Sequence, residues 1–167
     1  MENTSFGQAP APEPAGADRQ MELLQLENSL KSGANWFYWI AGLTLVNTIA
    51  AMSGSTWRFI LGLAITQIVD AIAADLGSTG RVAALVIDFF IAGLFVVFGV
   101  FANKQMKWAF IVGMGLFGLD TLLGVLAQDW IGVAFHVFAL WAISRGYSAL
   151  KKLQAEKTSI TALSQTP

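Results

Sequence analysis

The sequence predicts an all-α fold, an integral membrane up-and-down bundle of five (alternatively four) transmembrane helices joined by short loops. Three observations carry this expectation. First, 55% of the 167 residues are hydrophobic and only 13% are charged, about half the charged share of a soluble domain. Second, five long apolar runs follow one another between residues 36 and 150. Third, Trp36, Trp39, Trp57, Trp108 and Trp130 stand at or near run ends, where interfacial aromatic belts place them.

The first 32 residues read differently from the rest. Met1 to Ala17 is rich in Pro, Ala and Gly and lacks a basic segment followed by an apolar core, so it is not a secretory signal and reads as a disordered tail. Asp18 to Lys31 has helix formers with Leu23, Leu26 and Leu30 at helical spacing. It predicts a short amphipathic helix at the membrane surface or against a partner helix. The bundle occupies residues 33–150, with spans at 36–52, 57–74, 82–102, 108–127 and 130–150. Crossing hydrocarbon takes roughly 20 residues. The third and fourth runs meet that length, the first two are slightly short, and Arg145 near the end of the fifth can snorkel. The links Ser53–Thr56, Asp75–Arg81, Asn103–Lys107 and Gln128–Asp129 are brief, which predicts sequential helices as antiparallel neighbours. Residues 151–167 form a polar C-terminal tail.

Lys and Arg positions set the orientation. With five spans, Arg58, Lys104, Lys107, Arg145, Lys151, Lys152 and Lys157 share one side, against Arg19, Lys31 and Arg81 on the other. If the first run is re-entrant, Arg19 and Lys31 join the larger group and both termini lie inside. Hydropathy favours five spans and charge favours four. Either count predicts a cytoplasmic C-terminus, and the expected location is a plasma (inner) membrane.

Composition and motifs exclude several functions. A net charge of −1 draws no nucleic acid, and the absence of cysteine removes disulfides, thiol catalysis, Fe–S ligation and palmitoylation. Gly113-Met-Gly115-Leu-Phe-Gly118 fits G-x-G-x-x-G, but a dinucleotide fingerprint needs a strand-to-helix turn. Inside an apolar helix, these glycines point instead to close helix packing. P-loop, HExxH and GxSxG motifs do not occur, so no enzyme activity and no cofactor are expected. Asn3-Thr4-Ser5 matches a glycosylation sequon, a pattern common by chance.

The informative feature is the placement of ionisable residues inside the runs: Asp70, Asp88, Asp120 and His136, with Gln67 one turn before Asp70. An ionisable group in hydrocarbon costs at least about 2.5–3.5 kcal/mol, so such residues face the bundle interior and find partners. Counted from the Asp75–Arg81 and Gln128–Asp129 links, all four lie roughly 10–13 Å below one face. Each also shares a helical stripe with small or core-type residues: Gly62, Thr66, Ala73 and Gly77 with Asp70; Ala84, Phe95, Gly99 and Ala102 with Asp88; Gly113, Phe117, Gly124 and Ala127 with Asp120; Gly132, Ala139, Ile143 and Gly146 with His136. Small residues there let helix backbones approach.

Two readings of this layer follow. In one, the chain is a non-enzymatic bundle or membrane-complex subunit whose acids and imidazole hydrogen-bond across helices. In the other, it is a small proton- or cation-coupled transporter or channel that uses Asp70, Asp88, Asp120, His136 and Gln67. A membrane metalloenzyme is a third possibility, with the metal unspecified by spacing. Expected partners are the lipid bilayer and a membrane protein or second copy of the chain.

Overall fold

The structure, a computed structural model, describes residues 15–53 and 63–164. They form five helices and no strand: α1 (Ala15–Met52), α2 (Ala64–Asp75), α3 (Gly77–Asn103), α4 (Lys107–Leu126) and α5 (Trp130–Ser164). Among them α3 and α4 are long and apolar enough to cross a membrane.

The helix boundaries differ from the sequence expectation in instructive ways. The short amphipathic helix and the first run are one continuous helix of 38 residues, about 57 Å at 1.5 Å per residue. A change from polar to apolar composition changes the surroundings of a helix, not its propensity, and no proline interrupts the stretch. Likewise α5 continues through the polar C-terminal segment to Ser164, where Ala, Glu, Lys, Gln and Leu favour helix. Met1 to Pro14, including the sequon, and residues 57–62 of the second expected span lie outside the described residues.

Turns are tight. Leu76 alone separates α2 from α3, in place of the expected seven-residue link. Gly77 has φ +71°, and a side chain at Gly80 would strike the carbonyl oxygen of Ala73, so glycine is required at both places. The α3 and α4 ends are both Schellman closures. Met106 N donates to Phe101 O (3.1 Å) and Gln105 N to Ala102 O (2.9 Å), with Gln105 at φ 63°; Asp129 N donates to Gly124 O (3.0 Å) and Gln128 N to Val125 O (3.0 Å), with Gln128 at φ 59°.

The contacts between helices fix their directions. Gly33 meets Gly146 and Arg19 pairs with Glu156, so α1 and α5 are antiparallel. Tyr38 meets Gly99 and Thr48 meets Asp88, so α1 and α3 are antiparallel too. Phe117 touches both Phe95 and His136, and Trp108 touches Phe98, setting α4 against α3 and α5. The α2–α3 hairpin then gives α2 the direction of α1. The expected antiparallel pairing of sequential helices therefore fails at this one step. The core is a ring cluster: Phe37 lies 6.0–6.4 Å from Phe95, Phe98 and Phe110, all buried. Gly113 is what admits the Phe37 ring, whereas Gly115 and Gly118 face nothing within 4 Å. The G-x-G-x-x-G run thus contributes one packing glycine, not three.

Candidate functional site

The stripes expected to face inward do so on α3 and α5 in full. Ala84, Asp88, Phe95, Gly99 and Ala102 are buried, as are Gly132, His136, Ala139, Ile143 and Gly146. On α4 the stripe is buried except for Ala127, and on α2 Thr66 and Ala73 are buried, Asp70 is half-buried and Gly77 is exposed. Gly62 lies outside the described residues.

The four ionisable residues separate into two arrangements rather than one. The first joins three elements through Asp120, which is 5% exposed. Its Oδ1 accepts from the amide of Ile65 at 2.8 Å, and its Oδ2 accepts from the amide of Ala64 at 2.9 Å. These are the first two N–H groups of α2, left without partners by helix geometry. The residue at the N-cap position is Leu63, whose side chain has no oxygen to offer. The carboxyl of a different helix supplies the missing acceptor at the positive end of α2.

His136 completes this arrangement. Its Nδ1 lies 2.6 Å from the carbonyl of Gly132, which can only accept, so Nδ1 carries hydrogen. Its Nε2 lies 2.8 Å from Asp120 Oδ2, and that contact also needs one hydrogen. Whichever atom holds it, the pair as a whole is neutral. Phe117 stacks on the imidazole at 4.6 Å and 16°, fixing the ring plane.

The second arrangement centres on Asp88, fully buried on α3. Thr48 Oγ1 of α1 lies 2.8 Å from Asp88 Oδ2 and 3.1 Å from the carbonyl of Thr44. Thr48 has one hydroxyl hydrogen for two oxygens within reach, so it donates either to the Thr44 carbonyl or to the Asp88 carboxyl. Asp88 Oδ1 is buried and accepts no hydrogen bond among the described residues. Asp70 is near enough for the two carboxyls to act on each other electrostatically. Gln67 is half-buried, and its side chain makes no hydrogen bond among the described residues.

Helix registers bring Thr48, Asp88, Asp120, His136 and the α2 N-terminus to nearly one height, within about a helical turn. Asp70, six residues into α2, lies nearer the hairpin. Among the described residues no group of three or more acidic or histidine side chains converges to hold a metal. Sequence reasoning missed Thr48 and the α2 amides. Thr44 and Thr48, one turn apart in an apolar run, were the available signal for the first. The amides carry no signal, because every residue has one. Compared with protein-family models, with curated proteins and with solved structures, the chain matches none.

Proposed function

We propose that this chain is a non-enzymatic integral membrane bundle, alone or as a subunit of a larger membrane complex, in which α1, α3, α4 and α5 cross the bilayer. In this reading α2, about 18 Å long, reaches only part-way. The observation that carries it is the distribution of polarity. Asp88, Asp120 and His136 are buried, while Phe90, Leu126, Ile72, Val86 and Leu119 are 60–79% exposed. Large apolar side chains at such density on an outer surface call for lipid rather than water.

Charge supports four crossings. With α2 half-length, the described basic residues divide eight to one: Arg19, Lys31, Lys104, Lys107, Arg145, Lys151, Lys152 and Lys157 fall on one side and Arg81 on the other, while Arg58 lies outside the described residues. In this reading the half-length element is the second run, whereas the four-span alternative above makes it the first. Within the bundle, Asp120 and His136 act as a clamp that ties α4 and α5 to the start of α2.

A second reading rests on Asp88 alone. Its buried Oδ1, which accepts no hydrogen bond among the described residues, suits a proton or small cation in transit. Purified protein in liposomes tests both. The structural reading expects proton and cation flux equal to that of protein-free liposomes. Flux that Asp88→Asn abolishes, with the helical content unchanged, would replace it by the transport reading.

A further inference from the structure

We propose that the junction of α1 and α5 binds the phosphate of an anionic phospholipid, with Arg145 as its main contact. The proposal rests on the membrane reading above and adds a specific ligand site to it. Two open clefts flank Arg145. One, of about 370 Å³, is lined by Asn28, Ser29, Ser32, Trp36 and Trp141 together with Arg145. The other, of about 250 Å³, shares Ser29 and Arg145 and adds Ser148 and Lys152.

The chemistry of this patch is that of an amphiphile site. Arg145 presents a planar fork of donors suited to phosphate oxygens. Its guanidinium rests over the ring of Trp141 at 5.1 Å, which holds it in place while leaving its edge available. Two nearby acids of these helices are engaged elsewhere: Glu156 pairs with Arg19 at 2.8 Å and Glu27 with Lys31 at 3.7 Å. Neither Arg145 nor Lys152 has a carboxylate within ion-pair distance among the described residues.

Polarity then changes along α5. From Arg145 towards the bundle centre stand Trp141 and Phe138, both about half exposed and stacked at 5.9 Å, with Trp36 edge-on to Phe138 at 5.4 Å. Hydroxyls and cations lie at the outer end and an aromatic wall runs inward from them. A free phosphate would use only the outer end; a phospholipid uses both, its acyl chain lying along Phe138 and Trp141. One basic side chain at an anionic membrane surface gives about a fivefold preference over zwitterionic lipid, so the preference expected from two lies between about fivefold and about thirtyfold.

The test uses the full chain in phosphatidylcholine nanodiscs containing a minor fraction of lipid with brominated acyl chains, which quench nearby tryptophan. At equal mole fraction, brominated phosphatidylglycerol is expected to reach half-maximal quenching at several-fold lower content than brominated phosphatidylcholine. Arg145→Gln with Lys152→Gln removes that difference, Lys104→Gln with Lys107→Gln keeps it, and inorganic phosphate does not compete. Equal quenching by the two lipids overturns the site, and so does equal loss in both double variants, which would mean only a diffuse surface charge. Competition by inorganic phosphate overturns the lipid assignment. A chain that does not enter nanodiscs at all defeats the membrane reading itself, an outcome distinct from the others.

Discussion

A buried imidazole keeps one orientation when both ring nitrogens are satisfied, and His136 meets that condition with Gly132 and Asp120. Asp120 in turn bonds three groups, so its loss strands two α2 amides and an imidazole together. Each buried group left without a partner costs about 1–3 kcal/mol. Asp120→Ala is therefore expected to destabilise the protein by roughly 3 kcal/mol or more, measured by denaturant unfolding in detergent. Asp120→Asn keeps one acceptor oxygen and loses less. In a double-mutant cycle with His136→Ala the two losses should fall short of additive, because one mutation already removes the other's partner. Strict additivity would mean that the 2.8 Å contact contributes nothing. Thr48→Val is expected to cost less than Asp120→Ala, since it removes a single donor from Asp88.

At the scale of elements, the α1–α5 crossing depends on the absence of two side chains. A Cβ on Gly33 would lie 2.5 Å from Gly146 Cα, and one on Gly146 would lie 2.7 Å from Gly33 Cα. Backbone cannot move aside as a side-chain tip can. Gly33→Leu should therefore separate the helices and increase protease sensitivity near Arg19 and Glu156, which the crossing holds together. Gly115→Ala and Gly118→Ala meet open space, and each should be neutral or stabilising by up to about 1 kcal/mol through helix propensity. The turns permit a prediction of opposite sign. Gln128 holds a left-handed conformation that costs a non-glycine residue about 1–2 kcal/mol, part of which glycine returns as unfolded-state entropy. Gln128→Gly should raise stability by about 0.5–1 kcal/mol in the same unfolding assay. Gln105 has the same backbone, but its side-chain oxygen accepts from Lys157 at 3.0 Å, so glycine there gains less.

For the whole molecule, the consequential feature is that α1 and α2 run in the same direction. In the proposed membrane reading this gives four crossings, with both ends of the described chain on one side of the bilayer. The chain has no cysteine, so single cysteines report topology cleanly. In right-side-out vesicles, cysteines replacing Gln20 and Thr158 should resist an impermeant thiol reagent until the membrane is opened, while one replacing Ser78 should react at once. Opposite behaviour of positions 20 and 158 would restore five spans. The long ends of α1 and α5 lie together, joined by Arg19 and Glu156, and Gln154 of α5 also donates to Gln105 O of the α3–α4 turn at 3.0 Å; the proposed topology puts both ends on the cytoplasmic face.

Much of this was legible in the residues themselves. Helical class and the inward stripes of α3, α4 and α5 follow from spacing, because a 3.6-residue period determines which side chains share a face whatever that face meets. The burial of Asp88, Asp120 and His136 follows from the cost of leaving such groups against an apolar surface. Other features had no sequence signature. The start of α2 is set by a carboxyl from another helix, since Leu63 cannot cap it, and the division of one polar layer into an Asp120–His136 clamp and a separate Asp88–Thr48 contact depends on helix registers. Periodicity describes a helix relative to its own axis. Direction, register and capping across helices are relations between axes, and only the packed structure decides them.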